Sequence, residues 1–104
     1  MAVFDVPASD GEKKVNRFAF RHKGKVYSVP KLQYLSGEGA DYLVLAAKEG
    51  HDEPRTTRDL IGIENPTAVE AVRKMANDQV LRISAAWIEA SATSLGESSG
   101  SEQS

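Results

Sequence analysis

No cysteine occurs among the 104 residues, which excludes disulfides and thiolate metal ligands. No apolar run approaches the roughly 18 residues of a membrane-crossing helix, so no membrane partner is expected. The opening residues, Met1-Ala2-Val3-Phe4-Asp5-Val6-Pro7, lack the basic start and apolar centre of a secretory signal. The expected address is therefore the cytoplasm. Acidic residues are missing from one long stretch. Residues 13–31 hold seven of the thirteen Lys and Arg and none of the fifteen Asp and Glu, so this stretch carries +7 and the remainder −9. Such an asymmetry fits an acidic partner or nucleic acid. It fits equally well a basic element matched to an acidic body, or a solvated face, which is the reading taken here.

What is present fits one small domain. Residues 1–14 are polar and turn-rich, with nothing to bury, and are expected to be disordered. Residues 15–96 carry the periodic patterns of a hairpin plus helical domain. Residues 97–104 are Ser, Gly, Glu and one Gln, expected to form a flexible tail. The fold class expected is mainly α with an N-terminal β-hairpin (α+β).

The hairpin is read from two alternating runs, Arg17-Phe18-Ala19-Phe20-Arg21 and Lys25-Val26-Tyr27-Ser28-Val29, around a Lys23-Gly24 turn. This register pairs His22 with Lys25, Phe20 with Tyr27 and Phe18 with Val29. Phe18, Phe20, Tyr27 and Val29 then share a face, which two strands alone cannot bury. The helices must cover it.

After Pro30, residues 31–35 are expected to form one helical turn, interrupted by Ser36-Gly37-Glu38-Gly39. Residues 41–49 follow as a short helix with Leu43, Val44, Ala46 and Ala47 as its stripe and Gly50 past its end. His51 to Arg55 is expected to be an exposed loop around Pro54. Thr56 or Thr57 would cap a turn running through Ile63. Asn65-Pro66 is a helix start, with Asn as N-cap and Pro in the first position. From there the pattern is helical to Leu95. Val69, Val72 and Met75 form one stripe, and Val80, Ile83, Ser84, Trp87, Ile88, Ser91 and Leu95 the next. The two are out of phase, so a break is expected near Ala76-Asn77.

No motif points to catalysis. Gly96-Glu97-Ser98-Ser99-Gly100 has the letters of a nucleophile elbow but follows a helix rather than a strand, and no His lies downstream. Gly37-Glu38-Gly39 lacks the third glycine of a dinucleotide loop, and Glu38 and Asp41 would repel a phosphate. His51-Asp52-Glu53 has metal-ligand residue types, but three adjacent residues rarely converge on one ion. No catalytic, metal or cofactor site is expected. Phe18, Phe20 and Tyr27 among basic residues could stack single-stranded bases, but they serve equally as the hairpin's buried side, and nucleic acid is not the partner expected.

Trp87, Glu89-Ala90-Ser91 and Leu95-Gly96-Glu97-Ser98, with the Ser-rich end, resemble the C-terminal signature of tail assembly chaperones of long-tailed actinobacterial phages and prophages, a W-x-E-A-S followed by L-G-E-S. The hairpin, Leu32 and Tyr34-Leu35 resemble the start of those proteins, so the similarity covers about residues 16–99. The resemblance implies a non-catalytic protein of the host cell cytoplasm that binds the coiled-coil-prone tape measure protein while the tail is built. It also implies a longer form, made by a programmed frameshift near the end of the frame, whose extension engages the major tail protein. The alternatives kept are a structural virion component and a small nucleic-acid-binding regulator. Trp87 reads first as core. The candidate partner-binding set is the stripe Val80, Ile83, Trp87, Ile88, Ser91 and Leu95, joined by Arg21 and Lys23. The small residues around Trp87 (Ala85, Ala86, Ala90 and Ala92) would also permit self-association.

Overall fold

The computed structural model describes the backbone of residues 2–103 and the side chains of residues 2–92. Strands β1 (Arg17–His22) and β2 (Lys25–Pro30) form an antiparallel hairpin. Its register is the one expected, with Phe18 opposite Val29, Phe20 opposite Tyr27 and His22 opposite Lys25. Lys23 and Gly24 have φ of 51° and 79°, the two positive values that a type I′ turn requires. Side chains alternate along a strand, so the aromatic residues fall on one face, and that face lies against the helices. Phe18 stacks on Trp87 with centroids 6.2 Å apart, and Phe20 on Tyr27 at 5.5 Å.

A 3-10 turn over Leu32–Tyr34 leads into α1 (Gly37–Glu49). This helix begins four residues earlier than expected. Ser36 is its N-cap, its Oγ accepting the Gly39 N–H at 3.0 Å. Gly37-Glu38-Gly39 is therefore a first turn, not an interruption. A Cβ at Gly39 would push the Glu64 carboxylate out of its place. That carboxylate accepts both the N–H and the Oγ–H of Ser36 at 3.1 and 2.8 Å. Gly50 ends the helix at φ 72°, as expected of a C′ glycine.

Helix α2 (Glu53–Glu64) replaces the expected loop and turn. Asp52 is its N-cap, accepting from the Arg55 N–H at 2.9 Å, and Pro54 lies in the first turn. There the missing N–H of proline leaves no intrahelical bond unmade. Thr56 and Thr57 are interior to the helix, and Thr57 is buried.

Asn65 accepts from the Thr67 N–H and opens a 3-10 turn over Pro66–Ala68, which continues into α3 (Val69–Lys74). The break comes where it is expected: Met75 turns to an extended ψ of 149°, and α4 (Asn77–Gln103) starts two residues later. Arg58 of α2 holds this corner. Its guanidinium donates to the carbonyls of Val72 at 2.8 Å and Met75 at 2.6 Å, and to Asn77 Oδ1 at 2.8 Å. Carbonyls left over at the end of α3 and the first residue of α4 are thus tied by one cation, which the helix dipole of α3 also favours.

The core is one cluster built around α2: Leu60 and Ile61 meet Val29, Ala68, Val72, Met75, Val80 and Trp87. The result is the mainly helical fold with an N-terminal hairpin that the pattern predicts. One 3-10 turn, Asp10–Glu12, falls inside the stretch expected to be disordered, and a second, Lys14–Asn16, begins at its last residue. Gly11 is buried, with no room for a Cβ beside Tyr34, and its carbonyl accepts from Arg17 at 3.2 Å. The tail expected over 97–104 lies outside the residues whose side chains are described.

Two substitutions test this packing. Trp87→Ala removes the ring stacked on Phe18 and the indole donor to the Pro30 carbonyl, so urea denaturation should show a loss of about 3–5 kcal/mol. Arg58→Met keeps the apolar stem but leaves part-buried carbonyls unpaired, and should cost about 1–3 kcal/mol in the same assay.

Candidate functional site

Helix α2 packs on both α1 and α4, whereas α1 and α4 hardly meet. A cleft therefore opens between them with α2 as its floor. It measures about 590 Å³ and is lined mainly by apolar atoms. One wall is Leu43, Ala46 and Ala47 of α1, a set spaced by three and four so that it shares a helix face. The floor is Glu53, Thr56, Thr57 and Leu60 of α2, and the other wall is Ser84, Trp87 and Ile88 of α4, with Leu32 and His51 also lining it. A mostly apolar concavity with a few polar groups is the usual form of a binding site.

The candidate residues divide sharply. Val80 and Trp87 are buried, as is Ser91, and Ile83 is half-buried against the core. These four hold the fold and present little to a partner. Trp87 Nε1 donates to the Pro30 carbonyl at 3.0 Å, and Ser91 Oγ accepts the Leu32 N–H at 2.9 Å. Ile88 alone of the described stripe is free on the surface, at 52 % exposure, and it stands on the rim of the cleft. Leu95 lies outside the described side chains. Arg21 and Lys23 are exposed at the hairpin end, away from the cleft lining. The structure thus does not bring the basic pair and the stripe into one site.

The sequence reading missed the floor of the cleft. Its signal was available in Thr57, Leu60 and Ile61, at helical spacing, but reading Pro54 as a loop residue masked the helix.

His51, Asp52 and Glu53 diverge. His51 faces Tyr42, Asp52 caps α2, and Glu53 accepts from the buried Ser84 hydroxyl at 2.7 Å. Among the described residues no group of three such side chains could hold a metal ion. The hairpin's aromatic face, considered for base stacking, lies against the helical core.

Beside the cleft, Tyr42 Oη donates to Asp59 Oδ2 at 2.6 Å and lies 3.2 Å from His51 Nδ1. A carboxylate only accepts, so the phenol proton goes to Asp59 and the His51 Nδ1–H donates to the phenol oxygen. Partial burial, then the hydrogen bond to Asp59 and its negative charge, push the Tyr42 pKa up to about 12, with Arg55 opposing. The folded state therefore keeps this proton more tightly than the unfolded chain, whose tyrosine titrates near 10. The stabilisation is complete below about pH 10 and is lost as pH rises toward 12. Phenolate absorbance should show one tyrosine ionising late, Tyr42→Phe should remove that step, and the variant's melting temperature should fall less steeply than wild type between those pH values.

Comparison with known proteins finds no matching family model, no similar curated protein and no similar solved structure.

Proposed function

We propose that this chain is a tail assembly chaperone of a long-tailed actinobacterial phage or prophage, non-catalytic, that holds the tape measure protein while the tail tube polymerises. The observation that carries the mechanism is the apolar cleft walled by α1, α2 and α4 with Ile88 exposed on its rim. A cleft with helices on three sides suits a fourth helix laid by its apolar stripe, the helix-in-groove mode. A tape measure rich in such stripes would self-associate when unassembled, and several chaperone copies would cover it. The small Ala46 and Ala47 in one wall allow close approach of the incoming backbone.

The magnitude suits a transient partner. Two or three apolar side chains entering the cleft gain roughly 1.5–3 kcal/mol each. Ordering and association costs consume part of that gain. Micromolar affinity, about −8 kcal/mol, leaves each copy easy to displace as tail subunits add. In a frameshifted longer form, an extension following α4 would carry the contact with the major tail protein.

The test is co-expression with a tape measure protein that is insoluble alone. The client should remain in the supernatant and co-purify. Ile88→Asp and Ala47→Trp, both at exposed cleft positions, should abolish retention with little change in melting temperature. Reversing Arg21 and Lys23 should leave it intact, and added salt should matter little, because apolar contact is not screened. A client that stays insoluble with the chain in excess, while purified virions contain the chain, would favour a structural virion component instead.

A further inference from the structure

The two edges of the hairpin are not equally free. In a two-residue hairpin the pair flanking the turn exchanges both backbone hydrogen bonds, and bonded and non-bonded pairs then alternate. His22–Lys25, Phe20–Tyr27 and Phe18–Val29 are thus bonded pairs in this register, and the backbone groups of the intervening residues point outward. On β2 both outward carbonyls at the end nearest the helices are taken. The Ser28 carbonyl accepts from Asn65 Nδ2 at 2.9 Å and Arg17 Nη2 at 3.1 Å. The Pro30 carbonyl accepts from Trp87, and proline has no N–H. On β1 the outward groups belong to Arg17, Ala19 and Arg21; the Arg17 N–H donates to the Lys14 carbonyl, and among the described residues no hydrogen bond reaches those of Ala19 and Arg21. Ala19 and Arg21 are exposed. Such an edge is a template for an added strand.

The same chain carries a segment that lacks a partner. Val3, Phe4 and Val6 are 78 %, 81 % and 83 % exposed, and among the described residues no regular structure precedes Asp10. Val-Phe-Asp-Val is rich in β-forming residues. In an extended strand Phe4 and Val6 fall on one face and Asp5 on the other. The alternation on β1 matches: Phe18 and Phe20, still half-buried, lie on one face and Arg21 on the other. We infer that residues 2–6 of a second copy add to β1 as a third strand, with Phe4 and Val6 extending the aromatic face and Asp5 meeting Arg21.

Two other occupants fit less well. Pairing β1 with β1 of a second copy about Ala19 would set Arg21 opposite Arg17, and like charges directly opposite are destabilising. Folding the chain's own arm onto β1 would start from the wrong side. The arm leaves next to Gly11, whose carbonyl shares the Arg17 guanidinium with the outward carbonyl of Ser28, so it departs beside the β2 edge. The added strand is short, so association is weak and concentration-dependent. It needs neither the cleft nor a client.

Sedimentation of the full chain alone, over a wide concentration range, tests the inference. The wild type should associate reversibly. Deletion of residues 2–6 and Ala19→Pro should each give a monomer at every concentration, with unchanged melting and Trp87 fluorescence. Asp5→Lys and Arg21→Glu should each lose association, and the double variant should regain it. If Ala19→Pro fails to fold, the amides of Ala19 and Arg21 report instead: their exchange protection should disappear on dilution and in the deletion variant. A wild type that is monomeric throughout, association that survives deletion of the arm, or protection at Ala19 independent of concentration would overturn the proposal. None of these outcomes bears on client capture.

Discussion

Two bonds from α4 to one short piece of backbone hold the two halves of this fold together. Trp87 and Ser91, one turn apart, reach the Pro30 carbonyl and the Leu32 N–H. These groups sit where the hairpin ends and the helical part begins, so neither can be paired by sheet or helix. Left unpaired beneath a packed tryptophan they would cost about 1–3 kcal/mol each. With them satisfied, the indole is fixed in the plane that stacks on Phe18, and the hairpin's aromatic face is covered. The Trp and Ser of the W-x-E-A-S pattern thus have a structural role at spacing i, i+4, while Glu89 between them faces solvent.

Arg58 does for the far end of α4 what Trp87 does for its middle. By tying the end of α3 to the first residue of α4, it fixes the corner from which α4 departs. Helix α2 thereby contacts every other helix and becomes the centre of the core. The cleft follows from that arrangement. A helix that must pack on two partners which do not pack on each other leaves their facing sides uncovered. The short side chains of Ala46, Ala47 and Ser84 keep those sides from filling the space.

Local chemistry made most of the fold legible. The Lys23-Gly24 turn fixed the hairpin register, Asn65-Pro66 marked a helix start, and the phase shift between stripes located the break after Met75. The failures were also local. Pro54 and the glycines at 37 and 39 read as breakers because their usual effect is to stop a helix; what decides is whether a cap precedes them, and Asp52 and Ser36 do. The cleft was only half legible. The α1 wall showed in Leu43, Ala46 and Ala47, but the depth of each α4 residue depends on where α2 lies. Nothing in the α4 stripe itself separates Trp87, which is buried, from Ile88, which is not.

That separation constrains how such a protein can work. An apolar stripe that both builds the core and captures a client would have to unpack to bind, trading fold stability for affinity. Here the duties fall on different faces of one helix. Val80, Ser84, Trp87 and Ser91 face inward at spacings of four, three and four, while Leu81 and Ile88 remain exposed. The inward set includes two serines, each bonded to a group on another element, which specifies the rotation of α4 more tightly than aliphatic residues would. Fixing that rotation keeps Ile88 on the rim. A slip of about one residue, roughly 100° around a helix, would bury Ile88 and expose Trp87. The polar contacts of the serines are therefore what preserve an exposed apolar rim in a domain with a small core.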